Sequence, residues 1–292
     1  MFIKSLKSFE LLEPKTIEEA VTILASYDGK AAVLAGGTGL MLAMKGGYMK
    51  PEVVVSIQKI PGLDYIEGDG QSGLRIGALT THRAVELSPA VLRDYPVLYE
   101  AIHSLASVQV KNMATVVGSL CLGTPLSNAA VALLALGAEV KVASLTSVRT
   151  IPLDSFFIGE NRTVLEPGEL VTEISVPSLS ARTGGAFLRL ARTATDRAKV
   201  MVAVTVTAKD GTCEDCKIAL GAVAPTPMRA KNAEKLLKGQ KLDGERIVEV
   251  AEAAAEETKP ITDLRSTAEY RKEMVKVLVR RAIGSVLEKA KL

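Results

Sequence analysis

Residues Val33-Leu-Ala-Gly-Gly-Thr-Gly-Leu40 carry a short apolar strand, Ala31–Leu34, straight into a turn with glycine at positions 36, 37 and 39. Glycine reaches positive φ at little cost and lets main-chain N–H groups come close to an anion. Successive N–H groups in such a turn form a nest that suits a diphosphate, and Thr38 adds a hydroxyl donor. Two readings stay open on these residues alone: a tight turn and nothing more, or a phosphate grip. The spacing is not G-x-G-x-x-G, and no Gly-Lys-Ser/Thr follows, so neither the dinucleotide fingerprint nor a Walker loop is present.

A second glycine turn stands roughly 80 residues on, at Asn112-Met-Ala-Thr-Val-Val-Gly-Ser119, followed by Gly123-Thr-Pro-Leu-Ser-Asn128 at the mouth of a helix. Helix N-termini attract anions through free N–H groups and the helix dipole. The two turns together suit one extended, phosphate-bearing cofactor gripped from both sides. The alternative for Ser127 and Asn128 is that they only cap a core helix.

Working outward, Thr16-Ile-Glu-Glu19 is a capping box ahead of a helix with Ile17, Ala20, Val21 and Leu24 on one face. Val53–Ile57 reads as a buried strand and Leu74–Leu79 as a half-exposed one. Thr80 or Thr81 caps a short helix over Arg83–Leu87, Val97–Leu105 is helical, and Ala129–Leu136 is a buried helix. Glu139–Ala143, Thr150–Pro152 and Leu170–Val176 are strands. The composition then shifts at Ser178–Gly185, a Ser/Arg/Thr/Gly stretch that reads as a domain boundary. Beyond it come strands at Ala186–Ala191, Val200–Ala208 and Lys217–Val223, with a hairpin signal at Asp210-Gly211. Helices near Arg229–Leu237, Gly244–Thr258 and Ala268–Lys289 close the chain, the last with Val275, Val279, Ala282 and Val286 on one face.

The 292 residues are enough for two domains, and 36 Lys plus Arg against 33 Asp plus Glu leave a net charge of only +3. No run of like charge and no aromatic platform points to nucleic acid. Met1–Phe9 lacks the apolar core of a signal peptide, no stretch approaches a membrane span, and a cytoplasmic location is expected. Three cysteines make no disulfide framework. Cys213-Glu-Asp-Cys216 reads as hairpin residues beside Asp210-Gly211, since two ligands do not make a structural zinc site. His82 and His103 have no nucleophile motif nearby and read as structural.

Taken together, these segments resemble the flavoprotein subunit of the xanthine dehydrogenase and carbon monoxide dehydrogenase family of molybdenum hydroxylases. Ala35–Leu40 is similar to that family's pyrophosphate loop and Ala114–Ser119 to its second glycine segment. Arg75–His82, Val108–Asn112, Leu165–Thr172, Leu220–Arg229 and Asp263–Arg271 also match, in order, along nearly the whole chain. The resemblance implies an α+β chain. Residues 1–177 would be a FAD-binding domain of the vanillyl-alcohol-oxidase-like flavin fold, with subdomains about 1–58 and 59–177. Residues 178–292 would be a smaller C-terminal α+β domain of antiparallel sheet plus helices. By carry-over, Val33, Leu34, Ala35, Gly36, Gly37, Thr38, Gly39 and Leu40 wrap the FAD diphosphate. Ala114, Thr115, Gly118 and Ser119 contact the diphosphate and ribityl region. Asn128 stands where the family has a cofactor-bonding aspartate, Leu170 or Val171 packs near the ring, and Arg189 stands near the family's flavin-proximal lysine.

The implied role is an electron-transfer subunit. It would take electrons from the clusters of an iron–sulfur subunit, fed by a molybdopterin-binding large subunit, and pass them to an acceptor such as NAD⁺ or a quinone. Val117, Ser119, Asn128 and Gly39 depart from the family pattern and remove side-chain donors and one negative charge. Main-chain contacts survive these changes, so loosely held FAD is expected. The alternative is a scaffold subunit of the same kind of complex that has lost FAD.

Overall fold

The computed structural model describes residues 6–290, and side chains as far as residue 288. Met1–Ser5 of the N-terminal stretch lie outside the described residues. The first layer is a three-stranded parallel sheet built from β1 (Glu10–Leu12), β2 (Ala31–Leu34) and β3 (Val53–Ser56), in the order β1-β3-β2. Parallel strands need a crossover element. Between β1 and β2 it is α1 (Ile17–Ser26), and between β2 and β3 it is α2 (Thr38–Gly46). Thr16 Oγ1 accepts from Glu19 N–H, as the capping box requires, but the Glu19 carboxylate reaches back to Lys15 N–H at 2.7 Å instead of to Thr16.

The second layer is an antiparallel five-stranded sheet with helices on one side. Its strands in chain order are β4 (Ile66–Asp69), β5 (Gly73–Gly77), β6 (Glu139–Ala143), β7 (Val148–Pro152) and, after the small β8 (Phe157–Gly159)/β9 (Arg162–Thr163) hairpin, β10 (Leu170–Val176). The sheet order β4-β5-β10-β6-β7 places β10 centrally, and burial of five of its first five residues follows from that position. Between β5 and β6 run six helices: α3 (His82–Leu87), α4 (Pro89–Asp94), α5 (Pro96–His103), α6 (Val108–Met113), α7 (Val116–Cys121) and α8 (Asn128–Ala135). α8 is buried along its whole length. A helix that is apolar after its first residue has no solvent face to offer, so it sits in the middle of the core.

The third layer is the antiparallel sheet β11 (Thr183–Leu190), β12 (Val200–Lys209), β13 (Thr212–Gly221) and β14 (Met228–Arg229), followed by α9 (Lys231–Leu237), α10 (Gly244–Glu256) and α11 (Ala268–Ala290). Its strands alternate between two cores. Met201, Ala203 and Ala219 join the large core around α5 and α8, whereas Val200, Val202, Val204, Val206 and Ile218 join a second core under α10 and α11. The large core is therefore continuous across the turn between β10 and β11. Val275, Val279, Ala282 and Val286 of α11 are fully buried in the second core.

Ala222, just past β13, has φ +63°, in the left-handed region that disfavours a Cβ. Its N–H donates to Pro125 O at 2.9 Å and its carbonyl accepts from buried Arg271 at 2.9 Å, which holds it there. Ala222→Gly is expected to raise stability by about 0.5–1 kcal/mol, the left-handed cost less glycine's greater unfolded entropy. A urea titration that finds the variant less stable would exclude strain at this position.

Candidate functional site

The first glycine turn ends at an open helix terminus. Gly37, in the left-handed region at φ +74°, is the N-cap of α2 and offers no side-chain cap. The first intrahelical bond runs from Met41 N–H to Gly37 O at 2.9 Å. The N–H groups of Thr38, Gly39 and Leu40 consequently have no acceptor among the described residues. By contrast α1, α3, α4, α6, α7, α8 and α10 each have a Ser, Thr or Asp oxygen on the corresponding donors. A helix start left uncapped beside a nest suits an anion.

The fold brings the second turn against the first. A Cβ on Gly36 would lie 1.8 Å from Met113 O and 3.0 Å from Ala114 Cα, and one on Gly39 would lie 2.4 Å from the Leu122 side chain. Gly36 is therefore needed for close approach between two backbones, and Gly39 makes room for the Leu122 side chain, requirements the local sequence does not display. Ala114 in turn accepts from His82 N–H at 2.9 Å, Val116 N–H donates to Thr80 O at 3.1 Å, and Thr81 pairs with Thr115. The start of α3 is thus stitched to the second turn. Thr115 Oγ1 accepts from Gly118 N–H at 3.1 Å and Ser119 Oγ donates to Val116 O at 2.8 Å, so both hydroxyls also serve α7. Val117 is buried in the core.

Where the turns meet lies a cleft of about 370 Å³, lined by Ala35, Gly36, Gln58, Ile60, Pro61, Gly62, Asp64, Leu79, Thr81, Asn112, Met113 and Thr115. Of the residues expected from sequence, Ala35, Gly36 and Thr115 line it directly. Gln58 was not anticipated. The parallel register pairs Leu34 with Ser56, so the residues just past β3 fall beside Ala35, and Gln58 Nε2 donates to Ala35 O at 2.7 Å. No local pattern signals that contact, because it depends on β2 and β3 being neighbours.

Val33, Leu34, Gly37, Thr38, Gly39, Leu40, Ala114, Gly118 and Ser119 belong to the two turns without lining this cleft, and three expected residues lie outside both the cleft and the turns. Asn128 Nδ2 donates to Ala101 O at 3.0 Å and to Ser104 Oγ at 3.3 Å at the end of α5. Arg189 donates to the carbonyls of Ser104 at 2.8 Å and Ala194 at 2.7 Å, and to that of Asp196. Asn128 and Arg189 thus converge on Ser104, and the Arg189 guanidinium is largely occupied by main-chain oxygens. Leu170 is buried in the core, opposite Ala143 on β6.

Behind the second turn sits a buried ionic cluster. Glu86 accepts from Lys111 Nζ at 2.6 Å, His103 Nδ1 lies at 2.9 Å, and Arg83 donates at 2.8 Å. His82 is 1% exposed and its Nδ1 has no partner. Burial, reinforced by the Lys111 charge, pushes its pKa down to about 4, so it is neutral at pH 7. An unfolded histidine takes up a proton below about 6.5 while this one does not until about 4, so acid favours the unfolded chain across that window. His82→Leu should flatten the fall in stability between pH 6.5 and 4, which in the parent chain is worth about 3 kcal/mol from this group. Equal acid sensitivity in urea titrations of the two proteins would refute it.

Comparison with known proteins bears directly on this geometry. Residues 7–179 match the model of the FAD binding domain in molybdopterin dehydrogenase, and residues 185–286 match that of the CO dehydrogenase flavoprotein C-terminal domain. The chain is 34% identical to the carbon monoxide dehydrogenase medium chain of Hydrogenophaga pseudoflava, over 95% of this chain and 96% of that one. It is 31% identical to the glyceraldehyde dehydrogenase medium chain of Sulfolobus acidocaldarius, over 95% of this chain and 98% of that one. Among solved structures, a Hydrogenophaga pseudoflava carbon monoxide dehydrogenase lacking the Mo-pyranopterin moiety of its cofactor superposes with a TM-score of 0.94 at 35% identity, covering 98% of this chain and 99% of that one. An uncapped helix start, two interlocked glycine turns and matches along almost the whole chain agree: the protein belongs to the FAD-binding medium subunits of the carbon monoxide dehydrogenase and xanthine dehydrogenase family of molybdenum hydroxylases.

Proposed function

We propose that this chain is the electron-transfer subunit of its complex, taking electrons from an iron–sulfur subunit that is supplied by a molybdopterin-binding large subunit, and passing them to an external acceptor such as NAD⁺ or a quinone. The observation that carries the reading is the uncapped start of α2 pressed against the second glycine turn. Bound FAD supplies the redox chemistry, and the protein supplies binding, orientation and electrostatics. In this reading the free N–H groups of Thr38, Gly39 and Leu40 hold the diphosphate, and Val33–Gly37 shape the nest in front of them. Ala114, Thr115, Gly118 and Ser119 border the cofactor from the other side. Asn128 and Arg189 fix the end of α5 through Ser104 behind these contacts, and Leu170 supplies an apolar wall.

Division of labour with a partner is supported by the cysteine count. Three cysteines cannot ligate the two four-cysteine clusters that such a relay needs. The relatives' names also describe medium chains, and they differ in substrate, from carbon monoxide to glyceraldehyde. Among the described residues no helix is long and apolar enough to cross a membrane.

Titration of the purified chain with FAD and with riboflavin, followed by flavin fluorescence, tests the grip. FAD should bind at least about 100-fold more tightly, because only FAD offers a diphosphate to the α2 terminus. Equal affinities would refute the assignment of Thr38–Leu40. The electron-transfer role predicts that the flavin band bleaches on addition of substrate in the complete complex and not in the isolated chain.

A further inference from the structure

The Cys213/Cys216 pair lies outside everything assigned above. Two residues three apart on a regular strand point to opposite faces. Here β13 carries a bulge. Thr207 pairs with Asp215 and Ala208 with Cys213, leaving one extra residue on β13. A bulge lets two successive side chains take one side of the sheet. Glu214 is exposed and Asp215 half-exposed, and Cys216 returns to the face occupied by Cys213. Both cysteines are buried in the core under α10 and α11. Cys216 Sγ donates to Glu234 O at 3.4 Å. No group of three or more His, Cys, Asp or Glu among the described residues is arranged to hold a metal, so the pair has no further ligands to recruit.

The main chain of Cys213 lies beside exposed chain. Cys213 N–H donates to Gln240 O at 2.9 Å and Cys213 O accepts from Gly239 N–H at 2.8 Å. Lys238, Gly239, Gln240 and Lys241 are themselves exposed. This short segment between α9 and α10 runs beside the Cys213 main chain and is joined to it by these two hydrogen bonds. Short exposed connections open locally at lower cost than global unfolding.

We propose that Cys213 and Cys216 form a redox modification site, which a peroxide oxidises to an intrachain disulfide at the bulge of the β12–β13 hairpin. In the first step one sulfur attacks the peroxide. An S–O bond forms, the O–O bond breaks, and the departing hydroxide takes the thiol proton to become water. In the second step the other sulfur attacks the sulfenic sulfur. The S–S bond forms, the S–O bond breaks, and a second water leaves with the second thiol proton. Two thiols lose two electrons and two protons, and the peroxide is reduced to two waters. Cys216 can then no longer donate to Glu234 O, but that carbonyl keeps its bond from Lys238 N–H at 3.0 Å. The α9 terminus therefore survives oxidation.

The test uses the full chain treated with hydrogen peroxide, then denatured, alkylated and mapped by peptide mass spectrometry. The expected product has lost ~2 Da, with Cys213 and Cys216 joined and unalkylated, and the loss is reversed by a phosphine reductant. Cys121→Ser should still give this product, since Cys121 is exposed on α7 and takes no part. Cys213→Ser and Cys216→Ser should lose it and instead gain oxygen on the remaining thiol. Peptide mapping of the parent chain needs no variant to fold. If Cys213 and Cys216 both remain fully alkylatable while Cys121 oxidises, or if the oxidised pair is with Cys121, the proposal is overturned.

Discussion

Gly36→Ala is expected to separate the two glycine turns and to weaken FAD binding by at least about 100-fold, or ~2.7 kcal/mol. The added methyl would sit 1.8 Å from Met113 O and 2.7 Å from Met113 C, both main-chain atoms that no rotamer change can move. Met113 is the last residue of α6, and Ala114 is tied to His82 by a 2.9 Å hydrogen bond. Relief must therefore come from shifting the α2 turn, the part that presents Thr38, Gly39 and Leu40. Overpacking of this kind costs about 1–3 kcal/mol in stability, so the variant should still fold in a protein of ordinary stability. Flavin content after dialysis and a thermal melt separate the two effects. A variant that holds FAD as well as the parent would show that contact between the turns is not what forms the grip. Gly47→Ala provides the control: it ends α2 with open space around its Cβ position, so its cost is confined to its φ of +76°.

Lys111→Met is expected to cost about 3 kcal/mol in stability. Lys111 and Glu86 have side chains 6% and 5% exposed, and their 2.6 Å pair joins α6 to α3. Removing the ammonium leaves a carboxylate in the interior with Arg83 and His103, whose side chains are 36% and 64% exposed and therefore partly screened by water. That residual pairing places the cost at the low end of what breaking a buried pair brings. Glu86→Leu combined with Lys111→Met should recover most of the loss, since no charge is then stranded. The pH dependence follows from the same groups. Burial alone would raise the Glu86 pKa, but hydrogen bonds from Lys111, Arg83 and His103 outweigh it and hold the carboxyl below its ordinary value of 4.5. Its contribution is complete above 4.5 and is lost as pH falls through the lower folded value. In Lys111→Met the loss should begin at higher pH. Denaturant titrations from pH 7 to 3 on both proteins check the sign; a parallel pair of curves would exclude Lys111 as the group that holds Glu86 ionised.

These two residues show how differently parts of the site could be read. Gly36 stands out in sequence because three glycines fall within four positions after an apolar strand. Lys111 does not, since a lysine between Val110 and Asn112 looks like any solvated residue; only the packing of α6 on α3 and α5 buries it. The helix caps at Thr16, Thr81 and Ser127 are legible because capping is a local hydrogen bond between neighbours in the chain. The start of β13 at Thr212, five residues before the expected Lys217, was hidden by Cys213-Glu-Asp-Cys216. A bulge breaks the period-two alternation on which strand reading rests. The helices α2, α4, α6 and α7 are likewise absent from the expected elements, the last three being too brief for helical periodicity to show over a window.

The sequence by itself determined many of the longer strands and helices, the two glycine turns, the turn at Asp210-Gly211 and the family, because each is written in residues close together in the chain or matched collinearly along it. Tertiary structure alone decided that Gly36 lies against Met113, that Gln58 props Ala35, that Asn128 and Arg189 meet at Ser104, and that two cysteines share one core. Those contacts join segments that are distant in sequence or depend on a strand irregularity, and they follow from sheet order, register and close packing, none of which is encoded in the identity of any one neighbourhood.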